Sequence, residues 1–265
     1  MVYDFSTKKD QVILFMDILG FSAAIKENDS NDTQTKQDSL IVNMQVIFET
    51  MRDVCERHSE HIKFLWASDS LLFSADKEYA SEIMPYLFKI QRRLLNEGLP
   101  VRGAICVGNL YHENNVWGEA LVRAVELEKK TAIYPRIIVS KEDYAKLPNM
   151  GRYAQYFCQR IDDDDKLDDY LFVDTLAFEI DEVWNQYQKG KPTVLGAILA
   201  QIIKRIKENI ELEKVGEKWA WLAKLAAKDL QEKSDKVIGV LNAERNQGKP
   251  VHTVDEYIDI FKSLK

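Results

Sequence analysis

Apolar and polar positions along this chain follow two periods, and the switches between them mark the elements. The run Gln11 to Met16, QVILFM, is almost continuously apolar and predicts a central strand covered on both faces. It leads into Asp17-Ile18-Leu19-Gly20-Phe21-Ser22. Residues 27–38, ENDSNDTQTKQD, are polar and read as a loop. Beyond them Ile41, Met44, Ile47, Phe48, Met51, Val54 and Cys55 recur with the helical period and predict a helix over 39–58. Two strands follow, 62–67 and 70–74, joined by a tight turn at Ser68-Asp69, whose side chains can bond their own backbone. A helix over 77–96 ends at Gly98, a left-handed cap. Residues 101–107 read as a strand, Gly108-Asn109 as a hairpin turn and 110–112 as the start of the return strand. The remaining expectations are a helix over 118–131, a strand over 135–140, a short helix over 141–146, an acidic loop at 162–165 and a strand over 170–176. Helical crossovers mixed with hairpins make this part α+β with a mostly antiparallel sheet.

From about Ile180 the pattern becomes helical throughout. Residues 185–265 hold no strand signal, and helices are expected over 193–213, 216–242 and 254–264. Two domains are expected, 1–184 and a helical extension 185–265, with the break near Gly190-Lys191-Pro192. In the extension, Trp219, Trp221, Leu222, Leu225 and Ala226 form an apolar stripe, to be used for dimer support, as a lid or simply as cover for a sheet.

Composition narrows the function. The 265 residues carry 36 Lys and Arg against 43 Asp and Glu, a formal net charge of −7. That balance excludes a general nucleic-acid binder and a polybasic membrane-surface protein. The charge is divided: residues 1–184 carry −11 and residues 185–265 carry +4. No apolar run approaches the length needed to span a bilayer, and the N-terminus does not read as a signal peptide. Three widely spaced cysteines fit reduced thiols in a cytoplasmic protein, and the four histidines show no zinc-binding spacing.

The candidate chemistry is a pair of carboxylates. Asp17 ends the buried strand and Asp69 sits at the tip of a strand–turn–strand, so neighbouring strands would bring both to one end of the sheet. Two close carboxylates repel, and so they imply a cation between them or a shared proton. Oxygen ligands with open positions suit Mg²⁺ or Mn²⁺ bound together with a phosphate substrate. The turn at Gly20 opens a helix whose first amides can meet phosphate oxygens. No CxxC, Ser-His-Asp, GxGxxG or P-loop pattern accompanies them.

These residues carry a resemblance. Leu14 to Ser22, LFMDILGFS, resembles the first-strand motif of class III nucleotidyl cyclases, and Leu65 to Phe73, LWASDSLLF, resembles their second metal-carboxylate hairpin, with Ser68-Asp69 where Gly-Asp is usual. Arg102 to Gly108 resembles their RxGIxxG strand, and Asn115 to Leu127 the segment that follows. The resemblance covers about residues 11–176 in order. It implies a ferredoxin-like βαββαβ core and two metal ions, Mn²⁺ or Mg²⁺, held by Asp17, Asp69 and the Ile18 carbonyl. It implies that Phe15, Gly20, Phe21 and Ser22 contact substrate, with the backbone after Asp17 on the β- and γ-phosphates. One ion would activate the ribose 3′-hydroxyl, and the other would stabilise pyrophosphate as it leaves the α-phosphorus.

Four positions depart from the purine-using members. Leu65 stands where a polar base-reading residue is usual, Asn115 where adenylyl cyclases carry Asp, Val122 at the transition-state Asn and Glu126 at the transition-state Arg. With these departures the chain is most similar to the Pycsar pyrimidine cyclases of bacterial anti-phage defence. That resemblance implies UTP or CTP as substrate, a cytoplasmic homodimer with composite active sites, and a separate effector switched on by the cyclic nucleotide. It implies no nucleic-acid or membrane partner. Arg102, Arg123 and Arg136 are candidates for the missing positive charge, Arg102 first because its strand faces the hairpin; Arg123 is also a substrate-binding candidate. Arg136 could instead tie its strand to Glu126 or Glu128. The competing reading is a catalytically silent cyclase-homology domain that senses nucleotide or serves as a scaffold.

Overall fold

The computed structural model describes residues 8–30, 34–58, 60–113, 115–159, 169–213 and 215–264. In chain order its elements begin β1 (Lys8–Ile18), α1 (Phe21–Ser30), α2 (Gln34–Arg57), β2 (Ile62–Ala67), β3 (Ser70–Asp76) and α3 (Ala80–Asn96). They continue with β4 (Val101–His112), β5 (Val116–Trp117), α4 (Glu119–Lys130), β6 (Ile137–Ser140), α5 (Lys141–Ala145), β7 (Phe157–Cys158) and β8 (Tyr170–Val173). Five helices follow: α6 (Thr175–Gln188), α7 (Leu195–Asn209), α8 (Gly216–Glu232), α9 (Ser234–Asn246) and α10 (Val254–Ser263).

The strands lie in the order β2-β3-β1-β4-β6-β8-β7, with β5 paired to β4. β1 is antiparallel to both β3 and β4, β2 is antiparallel to β3, and β4 and β6 run parallel. The first four strands thus form a ferredoxin-like βαββαβ unit, with β3 inserted between β1 and β2 and β1 inserted between β3 and β4. The apolar run of β1 explains its central place: Val12 to Met16 are all buried. Side chains alternate across a strand. Val12, Leu14, Met16 and Ile18 therefore share one face with Leu71, Phe73, Ala75, Ile105 and Val107, all buried. α2 packs on β2, and α3 on β3 and β4. α3 turns Ile83, Met84, Leu87, Phe88, Ile90 and Leu94 inward at helical spacing. The Phe64 ring bridges the two layers, 6.4 Å from Phe48 and 4.9 Å from Phe73.

The opposite face is treated differently on its two halves. α4 packs on β4 and β1. Over β3 and β2, Leu65 remains 36% exposed. Register lays this face out in rows: Ala67–Ser70–Asp17–Arg102, then Leu65–Leu72–Phe15–Ala104, then Lys63–Ser74–Ile13–Cys106.

Several local expectations change. The polar stretch 27–38 is helical at 27–30 and 34–38, with 31–33 outside the described residues; polar composition alone does not separate helix from loop. Gly108-Asn109 is no turn, because β4 runs through to His112 and the chain reverses before Val116. Gly108 lies under α4, where a Cβ would meet the Ala120 Cβ at an ordinary contact distance of 3.5 Å. β8 stops at Val173 because Asp174 caps α6, its carboxylate accepting from the Ala177 N–H at 3.0 Å. The expected helix 216–242 is two helices that meet at Lys233. The short strand β7 had no sequence signal, and the acidic loop at 162–165 lies outside the described residues.

The chain groups into two compact units, one running to Gln159 and including β8, the other containing Asp174 onward. The composition step at 184–185 falls inside α6. In the second unit α8 packs against α7, α9 and α10, and Trp219, Trp221, Leu225 and Ala226 are buried. The fully buried Glu244 accepts from the N–H groups of Leu195 at 2.7 Å and Gly196 at 3.0 Å, capping α7 from a distant helix. Among the described residues no helix is long and apolar enough to cross a membrane.

Candidate functional site

The backbone builds the site before any side chain does. At the end of β1 the Ile18 N–H donates to the Asp69 carbonyl at 2.8 Å, and the Leu19 N–H donates to the Pro100 carbonyl at 2.9 Å. Asp17 pairs with Ser70 on one side and Arg102 on the other. The two carboxylate-bearing residues therefore lie at one end of the sheet, one on a strand and one on the adjoining turn. Ser68 holds that turn with φ +57°, and its carbonyl accepts from the Trp66 indole Nε1 at 2.7 Å. Gly103 lets β4 lie close against β1: a Cβ there would fall 2.2 Å from the Phe15 carbonyl oxygen. Gly20, at φ +80°, ends the strand and opens α1, its carbonyl accepting from Ala23 and Ala24. Phe21 and Ser22 form the first turn of that helix, whose amides favour anionic oxygens.

Arg102 is the charged partner of this end. Its Nε donates to Asp17 Oδ2 at 3.4 Å and also lies within ion-pair distance of Glu128 Oε1, without a hydrogen bond to it. Glu128 comes from α4, where Ala120, Ala124 and Glu128 are the buried positions, one turn apart. Its side chain is only 3% exposed. A carboxylate on an otherwise apolar helix stripe is the available sequence signal for this contact. Arg136 is buried, with its guanidinium 5.2 Å from the centre of the Tyr134 ring.

The other candidates lie elsewhere on the chain. Arg123 of α4 pairs with the fully buried Asp143, lies 3.6 Å from Glu119 and donates to the Val107 carbonyl at 3.4 Å. That carbonyl is five residues along β4 from Arg102, roughly 16 Å at strand rise. Asn115 lies beyond the far end of β4, on the order of 30 Å from Arg102 by the same measure. Leu65 sits on β2, one row in from Asp17. On α4, Val122 is 60% exposed, and Glu126 pairs with Lys130 at 3.5 Å.

Sequence reasoning missed a second polar cluster. A cavity of about 180 Å³ is lined by Gln11, His61, Lys63, Ser74, His112 and Glu113 among others. Ser74 Oγ lies 2.5 Å from His112 Nδ1, His61 Nδ1 lies 2.7 Å from Asp76 Oδ2, and Lys63 pairs with Glu113. Burial, with the Lys63 charge adding to it, pushes the His112 imidazole down to about 4.

The sequence-predicted ligands Asp17, Asp69 and the Ile18 carbonyl offer oxygen atoms only, the donor chemistry that suits Mg²⁺ or Mn²⁺. Among the described residues no group of three or more His, Cys, Asp or Glu is placed to hold a metal. A cation at these oxygens would need further ligands from outside the protein.

No protein-family model matches the chain, and no curated protein does. Among solved structures it is similar to the adenylyl cyclase CyaB from P. aeruginosa, at 15% identity over 53% of this chain and 81% of that one, TM-score 0.39. It is similar to the guanylate cyclase domain of RhGC from Catenaria anguillulae in complex with GTP, at 12% identity over 65% and 98%, TM-score 0.41. The catalytic core of a rhodopsin-guanylyl cyclase with converted specificity, in complex with ATPalphaS, gives 12% identity over 63% and 96%, TM-score 0.42. At these scores the likeness adds nothing to the strand order described above.

Proposed function

We propose that this chain is a nucleotidyl cyclase that closes UTP or CTP to the 3′,5′-cyclic nucleotide with release of pyrophosphate. The observation that carries the reading is the end row of the sheet. It sets Asp17 beside Arg102, while the β2–β3 turn delivers Asp69 to the same end. Asp17, Asp69 and the Ile18 carbonyl would hold Mn²⁺ or Mg²⁺. When bound, such a cation supplies Lewis acidity to the 3′-hydroxyl and to the departing pyrophosphate. The chain's own part is positioning. The first turn of α1, with Gly20, Phe21 and Ser22, orients the β- and γ-phosphates. Arg102 contributes a fixed guanidinium near the α-phosphate. Phe15 and Leu65 offer an apolar surface beside it.

Asn115 is too far along β4 to join Asp17 within one chain. A site that uses both takes its halves from two copies, which supports a homodimer with composite active sites. Arg123, which leans on Asp143, would serve the partner's half. Leu65 in place of a polar base-reading residue is what favours a pyrimidine over a purine. A role in anti-phage signalling, through a separate effector in the cytoplasm, follows from the same resemblance.

The test is incubation of the purified protein with each of the four nucleoside triphosphates and Mn²⁺, following pyrophosphate and cyclic product. Turnover of UTP or CTP, lost in Asp69→Ala while cooperative unfolding is kept, supports the reading. Turnover of ATP or GTP alone removes the pyrimidine assignment. Exposed Val122 and the Glu126–Lys130 pair favour a second reading, a silent nucleotide sensor. Tight triphosphate binding without pyrophosphate release would support that one.

A further inference from the structure

The cavity beside the outer end of β4 takes no part in the reaction proposed above. Its polar groups are fixed by one another. Ser74, only 2% exposed, sets its Oγ 2.5 Å from His112 Nδ1, and Asp76 holds His61 Nδ1 and Gln11 Nε2 each at 2.7 Å. Charge on the lining cancels, with Lys8 and Lys63 against Glu60 and Glu113, and Lys63 is paired directly with Glu113. Burial keeps His112 uncharged down to about pH 4. A balanced lining of this kind suits an uncharged polar ligand, and neither a free phosphate nor a metal cation.

Volume selects among such ligands. A cavity of about 150 Å³ accepts benzene, and this one measures about 180 Å³. It has room for one six-membered ring with its polar substituents, and a fused two-ring base would project from it. At the rim Lys63 and Glu113 set a donor beside an acceptor, their side chains 27% and 45% exposed and so within reach of an entering ring. Uracil offers the complementary pair in its C4 carbonyl and N3–H, and cytosine in its N3 and C4 amino group; this is the edge on which proteins read an unpaired base.

We propose that this cavity is a binding site for a pyrimidine base, with Lys63 donating to the ring edge and Glu113 accepting from it. The Lys63 row lies four residues along β2 from the row of Asp17, roughly 14 Å at strand rise. The site is thus separate from the Asp17 end within one chain and needs no cation there. Nucleoside, triphosphate and cyclic monophosphate share the ring, and the experiment separates them.

That experiment is an NMR titration of the intact protein without divalent cation, following the His112 ring protons, which are assigned from His112→Gln. Uridine and cytidine are the first probes, with adenosine and inorganic phosphate beside them. One or both pyrimidine nucleosides should shift the His112 signals saturably, adenosine should bind about tenfold more weakly, and phosphate should shift nothing. Lys63→Met should weaken nucleoside binding by about tenfold, the usual worth of a hydrogen bond to a charged group. The double variant Lys63→Met with Glu113→Met strands no charge and should lose a further factor of about ten, with thermal unfolding of both variants showing that the fold is kept. The matching triphosphate and cyclic monophosphate then name the source: whichever binds more tightly than the nucleoside is the form the site takes, and equal binding by all three assigns it to the nucleoside. Adenosine binding as tightly as the pyrimidines, a His112 shift driven by phosphate alone, unmoved signals with every pyrimidine compound, or unchanged affinity in the double variant overturns the inference. Pyrophosphate release from UTP or CTP alongside any of those results leaves the proposed reaction standing. Pyrimidine binding without turnover of any triphosphate overturns the reaction and keeps the site.

Discussion

Lowering the pH should cost this protein stability through His112 in particular. The imidazole is mostly buried beside Ser74 and close to Lys63, so the charged form is disfavoured in the fold. In the unfolded chain it takes up a proton near 6.5, and in the folded state only at about 4. Between those values the unfolded state binds more protons, so stability falls as the pH drops. At roughly 1.36 kcal/mol per pH unit the full effect is on the order of 3 kcal/mol, an upper figure because part of the ring meets solvent. The contribution is fully present above 6.5 and is lost by about pH 4. Carboxylates also titrate in this range, so the comparison is with His112→Gln, which keeps a polar group facing Ser74 but cannot take up the proton. Urea unfolding from pH 7.5 to 4.5 (roughly the span over which the effect develops) should show the native protein losing ground to the variant. A proton NMR titration of the ring provides the direct check. An imidazole that titrates near 6.5, or a stability difference flat with pH, would refute the account.

Other consequences can be checked as readily. Ser68→Gly removes the cost of a left-handed side-chain-bearing residue and should stabilise the first unit by about 0.5–1 kcal/mol, raising its melting temperature by a few degrees. Gly103→Ala drives a methyl group into the Phe15 carbonyl and should destabilise by about 3 kcal/mol or more, visible as a lower urea midpoint. In the helical unit, burial raises the Asp229 pKa well above the usual carboxylate range, and the neighbouring Asp174 charge raises it further. Its protonated form is then the stable one, and stability declines as pH rises from the unfolded carboxylate value through the raised one. Asp229→Asn should flatten that decline in a pH series of thermal melts; an unchanged slope would place the titration elsewhere.

Much of this was written in local pattern. The unbroken apolar run of β1, the helical spacing in α2 and α3 and the two-residue turn at Ser68-Asp69 each point to the element that forms. That Asp17 and Asp69 lie at one end of the sheet was legible because strand ends and turn tips meet there. What escaped depends on long-range packing. Gly108-Asn109 has turn composition, yet α4 lies over it and β1 pairs alongside it, so the strand continues. The Arg102–Glu128 contact required knowing which face of α4 is buried, and the stripe Ala120, Ala124, Glu128 was the clue. The Ser74–His112 contact joins residues 38 positions apart and leaves no periodic trace.

The end of β1 is pinned by main-chain bonds on both sides, through Asp69 and through Pro100. These bonds involve no side chain, so the location of Asp17 is insensitive to residue identity at Leu19, Asp69 and Pro100, provided their backbone conformation survives. The position is in that sense heritable apart from its neighbours' chemistry. Substitutions around it can change charge and polarity while the backbone of Asp17 stays where it is. On the proposed function, a scaffold of this kind would permit drift in specificity while Asp17 is retained, and saturation mutagenesis at Leu19 and Leu65 would measure how wide that freedom is.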